Sequence, residues 1–348
     1  MATKKSTKNL HAAKREKNDE FYTRLEDIER ELYVYGRVMN HFKDKVILLP
    51  CDESEHTNFF KHFMMLREEY GWKSLICVGY RVNRPAEIHA VENYGPGEKE
   101  YRETNLTLDG NGDFRLEETQ ALFEMADVVV TNPPFSLFRE FVALLEEKKL
   151  KYLILGNKNA ITYKEIFPLL RENKLWMGYT SPEKFIQPEK NSLKNMAGLT
   201  RWFTNLDIPK RYEELNTGID YKWGESNGWY KKYDNYDAIN INRCNHIPMD
   251  YDDVMGVPIT FLDIYNPNQF EIIGCTQRGC HDNFPDTKKY NDYIEMRQDG
   301  NPTGAGGIKT NENGNLEGND GKKNYFLDPK TGHIVQSTYG RIFIRHKR

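Results

Sequence analysis

The sequence contains few cysteines and no long apolar run. Its 348 residues include five cysteines, an odd number scattered along the chain, which is typical of a protein kept in a reducing cytosol. No apolar run reaches the roughly 18 residues that a transmembrane helix needs, and the basic N-terminus lacks the apolar stretch of a secretory signal. We therefore expect a cytoplasmic protein without a membrane partner.

Charge of one sign is not in excess either. The chain has 49 Lys and Arg against 52 Asp and Glu, so its global charge does not indicate a nucleic-acid partner. Residues 1–17 are the exception, with one acid and six basic residues. This segment is either a solvated tail or a flexible arm that contacts phosphates. The basic residues are Lys4, Lys5, Lys8, Lys14, Arg15 and Lys17.

Short apolar segments alternate with segments of helical periodicity as far as residue 171. Such alternation is typical of βαβ units and predicts an α/β fold with a mostly parallel sheet. Strands are predicted at 46–49, 74–79, 127–131 and 152–155, with one more near Leu106. Helices are predicted from residue 24, at 58–69, 116–125 and 163–171, and after Ser136 as N-cap as far as residue 148.

The loops that follow the predicted strands are the expected location of a site. Ligands of parallel sheets bind beyond the carboxyl ends of the strands. The loops at 50–56, 80–84, 109–114 and 132–136 are therefore expected to share one rim.

The pattern changes after about Leu206. Residues 300–322 hold seven glycines and five asparagines, which predicts loop or disorder. The chain ends in RIFIRHKR, an alternation typical of a strand. We therefore expect three parts: an arm at 1–17, a folded domain at 18–205 and an irregular region at 206–348.

A turn of four residues, Asn132, Pro133, Pro134 and Phe135, directly follows the strand predicted at 127–131. Two prolines fix φ and remove two N–H donors, so the turn presents the Asn132 side-chain oxygen and the Pro133 carbonyl as two acceptors. This pair suits a planar amine whose two hydrogens are held while its lone pair attacks, and the Phe135 ring can stack on the plane that carries it. The alternative is an ordinary turn that ends a strand. The flanking Asn132 and Phe135 favour the functional interpretation.

This tetrapeptide resembles the (D/N)PP(Y/F) catalytic motif of amino-methyltransferases that use S-adenosylmethionine. The segment EFYT at 20–23 resembles an aromatic-Tyr-Thr cofactor motif of adenine methyltransferases. The segment GDF at 112–114 resembles a segment of these enzymes in which an acid contacts the adenine amine of the cofactor. The resemblance implies that Asn132, Pro133, Pro134 and Phe135 are catalytic, and that the cofactor is bound by Phe21, Tyr22, Thr23, Cys51, Asp52, Asp113 and Phe114.

Longer segments are similar to the EcoRI-type adenine-specific DNA methyltransferases, and they span most of the chain. They are KNDEFYT at 17–23, CDES at 51–54 with NFF at 58–60, NPPFSLFREFV at 132–142, GNKNAITYKEIFP at 156–168 and GVPITFLDIYNPNQFEIIG at 256–274.

This similarity implies a Rossmann-like methyltransferase fold at 18–205, which binds S-adenosylmethionine and carries the catalytic residues, and a target-recognition region at 206–348. The implied partner is double-stranded DNA, in which one adenine is flipped out and methylated on N6. It remains open whether a cognate restriction endonuclease acts on the same site, without a stable complex, and which oligomer forms.

The loop after the first strand differs from the wider superfamily because residues 49–54 contain no glycine. The EcoRI-type family shares this acidic version, so Asp52 is expected to take over part of ribose or methionine recognition. The pair Pro50-Cys51 also resembles the nucleophile of cytosine-C5 methyltransferases. An exocyclic amine needs no covalent enzyme intermediate, and we therefore interpret Cys51 as structural or cofactor-lining.

An extruded base needs aromatic walls. Phe135 is expected to stack on one face, and Phe203 is a candidate for the opposite wall; the alternative for Phe203 is an ordinary core aromatic. Phe21 and Tyr22 are candidates to support the sulfonium cation. In the C-terminal region, Gln277 and Arg278 have the residue types that read base edges.

A metal site is not expected. Cys275, Cys280 and His281 lie close together in the sequence, but Cys244 and His246 would have to complete a tetrahedral zinc site.

Two other functions remain open at this point. The same motif occurs in enzymes that methylate RNA guanine or protein glutamine. A cofactor loop without glycine is also compatible with a DNA-binding protein that no longer methylates.

Overall fold

The computed structural model describes residues 22–94, 100–187, 192–276 and 287–347. The chain divides into two compact units. The first unit comprises Met1–Ala160 and Leu175–Ile208, and the second comprises Ile161–Lys174 and Pro209–Arg348. Within the described ranges, no helix has the length and apolar character that a membrane crossing requires.

The first unit contains five α-helices and eleven strands among its described residues. The helices are α1 Leu25–Tyr33, α2 Asn58–Met65, α3 Arg67–Tyr70, α4 Glu117–Met125 and α5 Phe138–Glu147. The strands are β1 Tyr22–Thr23, β2 Val46–Leu49, β3 Ser74–Val78, β4 Glu87–Asn93, β5 Tyr101–Thr107, β6 Val128–Thr131, β7 Lys151–Asn157, β8 Trp176–Met177, β9 Lys184–Gln187, β10 Ser192–Asn195 and β11 Thr200–Thr204.

Eight of these strands form one sheet in the order β5-β4-β3-β2-β6-β7-β11-β8. The four central strands, from β3 to β7, are parallel. The flanking strands β4, β5, β11 and β8 are all antiparallel to their neighbours. The α/β class is confirmed, but the sheet is mixed, and the expectation of a mostly parallel sheet is wrong. A smaller antiparallel sheet has the order β1-β9-β10.

The hairpin of β4 and β5 explains the difference on one side. Strand β5 leaves most of its residues exposed, so its sequence lacks the apolar alternation by which strands are recognised. The central strands differ because β3 and β6 are buried along their whole length. Continuous apolar runs of this kind are typical of parallel strands that helices cover on both faces.

The helices of the first unit match the predicted periodicity with shifted ends. Ile28 and Leu32 of α1 are fully buried. The helix predicted at 58–69 is interrupted at Leu66 between α2 and α3. Ser136 is not an N-cap, which is a correction: a 3₁₀ turn at Phe135–Leu137 precedes α5, and Leu137 occupies the cap position without a side-chain hydrogen bond.

The second unit contains two helices and two five-stranded sheets among its described residues. The helices are α6 Phe167–Arg171 and α7 Tyr221–Ser226, and the helix predicted at 163–171 is thus shorter than expected. The strands are β12 Lys231–Lys232, β13 Ile239–Asn240, β14 Met255–Pro258, β15 Phe270–Cys275, β16 Ile294–Met296, β17 Pro302–Gly306, β18 Asn315–Glu317, β19 Tyr325–Leu327, β20 Ile334–Ser337 and β21 Arg341–His346. The sheet orders are β12-β13-β14-β21-β15 and β17-β16-β19-β20-β18.

The expectation of loop or disorder at 300–322 is wrong, because β17 and β18 lie in this stretch. Their burial is partial or alternating, so side-chain composition does not distinguish them from loops. The strand expected at the chain end is β21. The two units meet in sequence at Ile208, close to the boundary expected at 205, but the segment Ile161–Lys174 belongs to the second unit.

Candidate active site

The loops at the carboxyl edge of the central strands surround one cavity of about 230 Å³ in the first unit. The predicted rim is confirmed, since all four expected loop regions contribute to the wall of this site cavity. Strand β1 and the start of α2 complete it. The wall consists of Tyr22, Thr23, Pro50, Cys51, Asp52, Glu53, Thr57, Phe59, Gly79, Tyr80, Gly112, Asp113, Phe114, Arg115, Asn132, Pro134, Ser136 and Leu137.

Asp52 is the most buried acid of the site cavity, with 5% of its surface exposed. Its two carboxylate oxygens accept hydrogen bonds of 2.6 Å from the hydroxyls of Thr57 and Thr131. Burial raises the pKa of Asp52 to about 6, against the two hydroxyl donors, which lower it. Asp52 therefore joins the ends of β2 and β6 to the start of α2.

Thr57 has a second function as the N-cap of α2. Its hydroxyl oxygen accepts a hydrogen bond of 3.1 Å from the backbone N–H of Phe59 while its hydrogen is donated to Asp52. Neither Thr57 nor Thr131 is among the site residues predicted from the sequence. A threonine directly before the predicted helix is the N-cap signal that identifies Thr57, whereas nothing in the sequence pairs Thr131 with Asp52.

Cys51 is half-buried in the cavity wall. Burial raises the pKa of its thiol, and the charge of Asp52 acts in the same direction. A thiol with a raised pKa stays protonated near neutral pH and is a poor nucleophile. This agrees with its interpretation as a structural or cofactor-lining residue.

Two glycines in other loops allow the backbones of three loops to pack closely together, although the loop after β2 itself contains no glycine. A Cβ atom on Gly79 would lie 3.0 Å from the backbone nitrogen of Glu53. Gly112 has φ +78°, and a Cβ there would lie 2.6 Å from the carbonyl oxygen of Gly79. The loops after β2, β3 and β5 are thus in direct contact, and only glycine fits at these two positions.

Asp113 lies in the loop after β5 and is held by Arg115. The Nε and Nη2 atoms of Arg115 donate to the two carboxylate oxygens, and its backbone N–H donates to Oδ1 at 3.0 Å. Burial acts to raise the pKa of Asp113, but the hydrogen bonds and charge of Arg115 outweigh it and lower the pKa. Asp113 is therefore an oriented anion. Arg115 was not among the predicted site residues.

The Asn132 turn follows β6. Only some of its residues line the site cavity. Asn132 and Pro134 belong to the cavity wall, and the Oδ1 atom of Asn132 is buried. Pro133 is buried and, like Phe135, is not part of the described wall. The Phe135 ring is half-buried and packs partly against the main core, so some of its surface stays exposed.

Strand β1 brings Tyr22 and Thr23 to the cavity. The Thr23 carbonyl accepts a hydrogen bond of 2.8 Å from the side chain of Asn58, which ties β1 to α2. Thr23 is buried, and its hydroxyl has no hydrogen-bond partner among the described residues. A buried polar atom in a cavity wall is a feature of a ligand site. Phe21 and the arm at 1–17 lie outside the described residues.

Phe203 is not at the cavity. It is fully buried in β11, and its ring centre lies 5.0 Å from that of Phe138. Such a position leaves no exposed face for a base, so the predicted role as the opposite wall is corrected to that of a core aromatic. The other predicted cofactor residues, apart from Phe21, all line the site cavity.

Acidic residues outnumber basic residues in the described cavity wall. Asp52, Glu53 and Asp113 are acidic, and Arg115 is the basic residue of the described wall. Glu53 is bound on one oxygen by Arg81, at 3.0 Å. Among the described residues, no group of three or more His, Cys, Asp or Glu side chains is placed to hold a metal ion. Gln277, Arg278, Cys280 and His281 lie outside these residues.

Comparison with known proteins gives one consistent result. The family model described as adenine-specific methyltransferase EcoRI matches residues 9–347. The Type II methyltransferase M.EcoRI of Escherichia coli is 42% identical over 300 residues, which cover 78% of this chain and 90% of that protein. M.MgeORF184P of Mycoplasma genitalium is 35% identical, with 83% and 92% covered. M.MpnI of Mycoplasma pneumoniae is 37% identical, with 76% and 85% covered. No solved structure matches the chain significantly.

Proposed function

The chain belongs to the EcoRI family of adenine-specific methyltransferases. We propose that it transfers a methyl group from S-adenosylmethionine to N6 of an adenine at a specific site in double-stranded DNA. One observation carries the assignment of the active site. The cavity at the carboxyl edge of the parallel strands has Asn132 and Pro134 of the Asn-Pro-Pro-Phe turn in its wall.

The substrate class follows from the relatives. All three are named Type II methyltransferases, which are the modification enzymes of restriction-modification systems. An adenine inside a duplex does not reach a recessed cavity, so the target base has to leave the stack. Phe135 retains exposed ring surface beside the turn and is the candidate to stack on the extruded base.

The cofactor would be held by residues of the cavity wall. Thr23 offers a buried hydroxyl, and Asp113 would accept a hydrogen bond from the adenine amine of the cofactor. Tyr22 and Phe114 provide aromatic surface, and Phe21 precedes Tyr22 in the sequence. When bound, S-adenosylmethionine supplies a methyl group on a positively charged sulfur, which the acidic wall with Cys51 and Asp52 would accommodate.

Asn132 and Pro133 would act on the attacking amine. The side-chain oxygen of Asn132 and the carbonyl oxygen of Pro133 would accept hydrogen bonds from the two N–H groups of the amine. These bonds would stabilise the positive charge that develops on its nitrogen. Pro134 keeps the turn rigid, so the acceptors are positioned before the base arrives. No covalent enzyme intermediate is needed.

The two regions predicted from the sequence would have different functions. Residues 18–205 correspond to a Rossmann-like catalytic domain, and residues 206–348 to a target-recognition region that contacts base edges and phosphates. We propose cytoplasmic action on duplex DNA, with any paired restriction endonuclease acting on the same site without a stable complex.

The test is single-molecule sequencing of DNA from a methylation-deficient host that expresses the protein. We expect N6-methyladenine at one recurring sequence, and none in a parallel culture that expresses Asn132→Ala. Unmodified DNA despite folded, cofactor-binding protein would contradict the proposal and favour an RNA or protein substrate. Failure to bind the cofactor in calorimetry would instead favour a DNA-binding protein without activity.

A further inference from the structure

Arg341 occupies an unusual position in the second unit. It is the first residue of β21 and only 8% exposed. Its backbone N–H donates to the hydroxyl of Thr276 at 2.9 Å, and its carbonyl accepts from the Thr276 N–H at 2.9 Å. The backbone N–H and C=O of Arg341 are therefore both hydrogen-bonded to Thr276.

The guanidinium group is held in place by two neutral acceptors. Its Nε atom donates to Oδ1 of Asn240 at 3.0 Å, and Nη1 donates to the carbonyl oxygen of Tyr339 at 3.2 Å. Asn240 is itself almost fully buried and accepts a second hydrogen bond of 2.8 Å from the Tyr233 hydroxyl. The Asn240 side chain is thus held in place, and the two acceptors together set the plane of the guanidinium.

This positive charge has no carboxylate partner within 4.0 Å among the described residues. Burying a charge without an ionic partner is costly, so a purely structural arginine at this position would normally pair with an acid. Arg345, on the same strand, is exposed and pairs with Glu271. A guanidinium carries five N–H bonds. The Nε N–H and one Nη1 N–H of Arg341 donate to Asn240 and Tyr339, and the Tyr233 hydroxyl also interacts with the guanidinium. The other N–H bonds are on the neighbouring atoms Nη1 and Nη2.

The surroundings of Arg341 add positive charge and an aromatic surface. The ammonium of Lys323 lies 4.0 Å from the centre of the Tyr339 ring, and it too lacks a carboxylate within salt-bridge distance in the described part of the chain. Burial and the charge of Arg341 lower the pKa of Lys323, while Asp320 acts in the opposite direction. Tyr339 is 74% exposed. We call Arg341, Lys323 and Tyr339 the Arg341 cluster.

We propose that Arg341 reads a guanine of the target DNA by donating two hydrogen bonds to its O6 and N7 atoms. This inference rests on the proposed function. Two N–H bonds on neighbouring nitrogens match these two acceptors on the major-groove edge, which is the commonest specific contact of arginine with DNA. A phosphate contact needs charge but no fixed plane, and long exposed side chains provide it. The recessed, immobilised fork of Arg341 suits a base edge, and Lys323 beside it is suited to the adjoining backbone.

The first experiment compares Arg341→Lys with the control Arg345→Lys. Lysine keeps the positive charge but lacks the fork that donates two parallel hydrogen bonds. Both variants are expressed in the methylation-deficient host, and the sequence around each N6-methyladenine is read. We expect Arg341→Lys to methylate sites that carry other bases in place of one guanine, and Arg345→Lys to keep the wild-type sequence. Calorimetry with S-adenosylmethionine and thermal melting report whether each variant is folded.

The second experiment changes the DNA, so its wild-type arm does not depend on how the variant folds. Each guanine of the recognised sequence is replaced in turn by 7-deazaguanine, which lacks the N7 acceptor. We expect one replacement to lower single-turnover methylation by wild type about tenfold or more, and to change methylation by Arg341→Lys far less.

The outcomes separate this inference from the proposed function. If wild-type protein methylates no DNA, the proposed function fails. If wild type is active but the DNA sequence that it recognises contains no guanine, the guanine assignment is overturned. The assignment is also overturned if no 7-deazaguanine replacement lowers methylation. If Arg341→Lys binds cognate and unrelated DNA with equal losses and keeps the wild-type sequence, Arg341 contacts phosphate instead, and the inference is also overturned.

Discussion

The carboxylate of Asp52 accepts a 2.6 Å hydrogen bond from the hydroxyl of Thr131, the residue immediately before Asn132. The two residues are 79 positions apart in the chain; Asp52 lies in the loop after β2, and Thr131 ends the neighbouring strand β6. This bond links the glycine-free loop after β2 directly to the turn that we propose as catalytic. Asp52 is therefore a candidate for a positioning residue in addition to its place in the cavity wall.

Replacing Thr131 with valine removes this hydrogen bond with little change in volume. We expect the free energy of unfolding to fall by about 1–3 kcal/mol, because the buried carboxylate loses one of its two donors. Turnover should fall by about tenfold as the Asn132 turn loses its support. Single-turnover methylation and thermal melting measure these effects.

A matched control for this change is Thr119→Val in α4. Thr119 is fully buried, and its hydroxyl has no hydrogen-bond partner among the described residues. Its loss should therefore leave stability and turnover close to wild type. Equal effects of the two substitutions would exclude a special role for the bond between Thr131 and Asp52.

The ionisation of Asp52 predicts a pH dependence of stability. Burial raises its pKa in the folded protein to about 6, above the ordinary value of 3.8. The folded state therefore holds the proton more tightly than the unfolded state between these values, and stability from this group falls as pH rises from about 4 to about 6. A shift of this size corresponds to roughly 3 kcal/mol.

Asp52→Asn removes the titration and is the comparison that isolates it. Denaturant unfolding of both proteins between pH 4 and pH 7 should show wild type losing stability relative to Asp52→Asn as pH rises. Parallel stability curves across this range would show that Asp52 does not titrate with a raised pKa.

Asn132→Ala tests the catalytic turn. We expect turnover to fall by about a hundredfold or more, because an acceptor that holds the attacking amine is lost. Cofactor affinity in calorimetry should stay near wild type. Asn132→Asp keeps an acceptor oxygen and should retain more activity than the alanine variant. Unchanged turnover in Asn132→Ala would remove this residue from the mechanism.

Asp113→Ala tests the cofactor assignment. The oriented carboxylate disappears, so we expect S-adenosylmethionine to bind about tenfold or more weakly in calorimetry. Asp109, in the same loop, is exposed and outside the described cavity wall, and Asp109→Ala serves as the control. Cofactor affinity that is the same in both variants would count against the role of Asp113.

Deletion of residues 1–17 tests the basic arm predicted from the sequence. If its six cations contact phosphates, DNA affinity should fall and its dependence on salt should become shallower, by about 0.9 in the logarithmic slope for each lost contact. Binding is measured by fluorescence anisotropy at several salt concentrations. Identical slopes for the full chain and the deletion would identify the arm as a solvated tail.

The sequence by itself determined where the candidate site lies. The strand before Asn132 and the strands before Asp52 and Gly79 are continuous apolar runs, and this local pattern requires no knowledge of distant contacts. Parallel strands place their carboxyl ends at one edge, so the common rim followed from strand order alone. The chemistry that we propose for the motif around Asn132 was predicted for the same reason, since two prolines restrict the backbone locally.

Only the tertiary structure decided which side chains meet. The bonds of Asp52 to Thr57 and Thr131, and the burial of Phe203 behind Phe138, join residues from different elements. Strand β5 is exposed, and β17 buries little, so neither shows a periodicity that predicts a strand. The hydrogen bonds of the Arg341 guanidinium to Asn240 and to the Tyr339 carbonyl likewise join β21 to residues that lie far away or outside the strand. Local composition reports burial and backbone freedom, whereas these contacts are set by how distant segments pack.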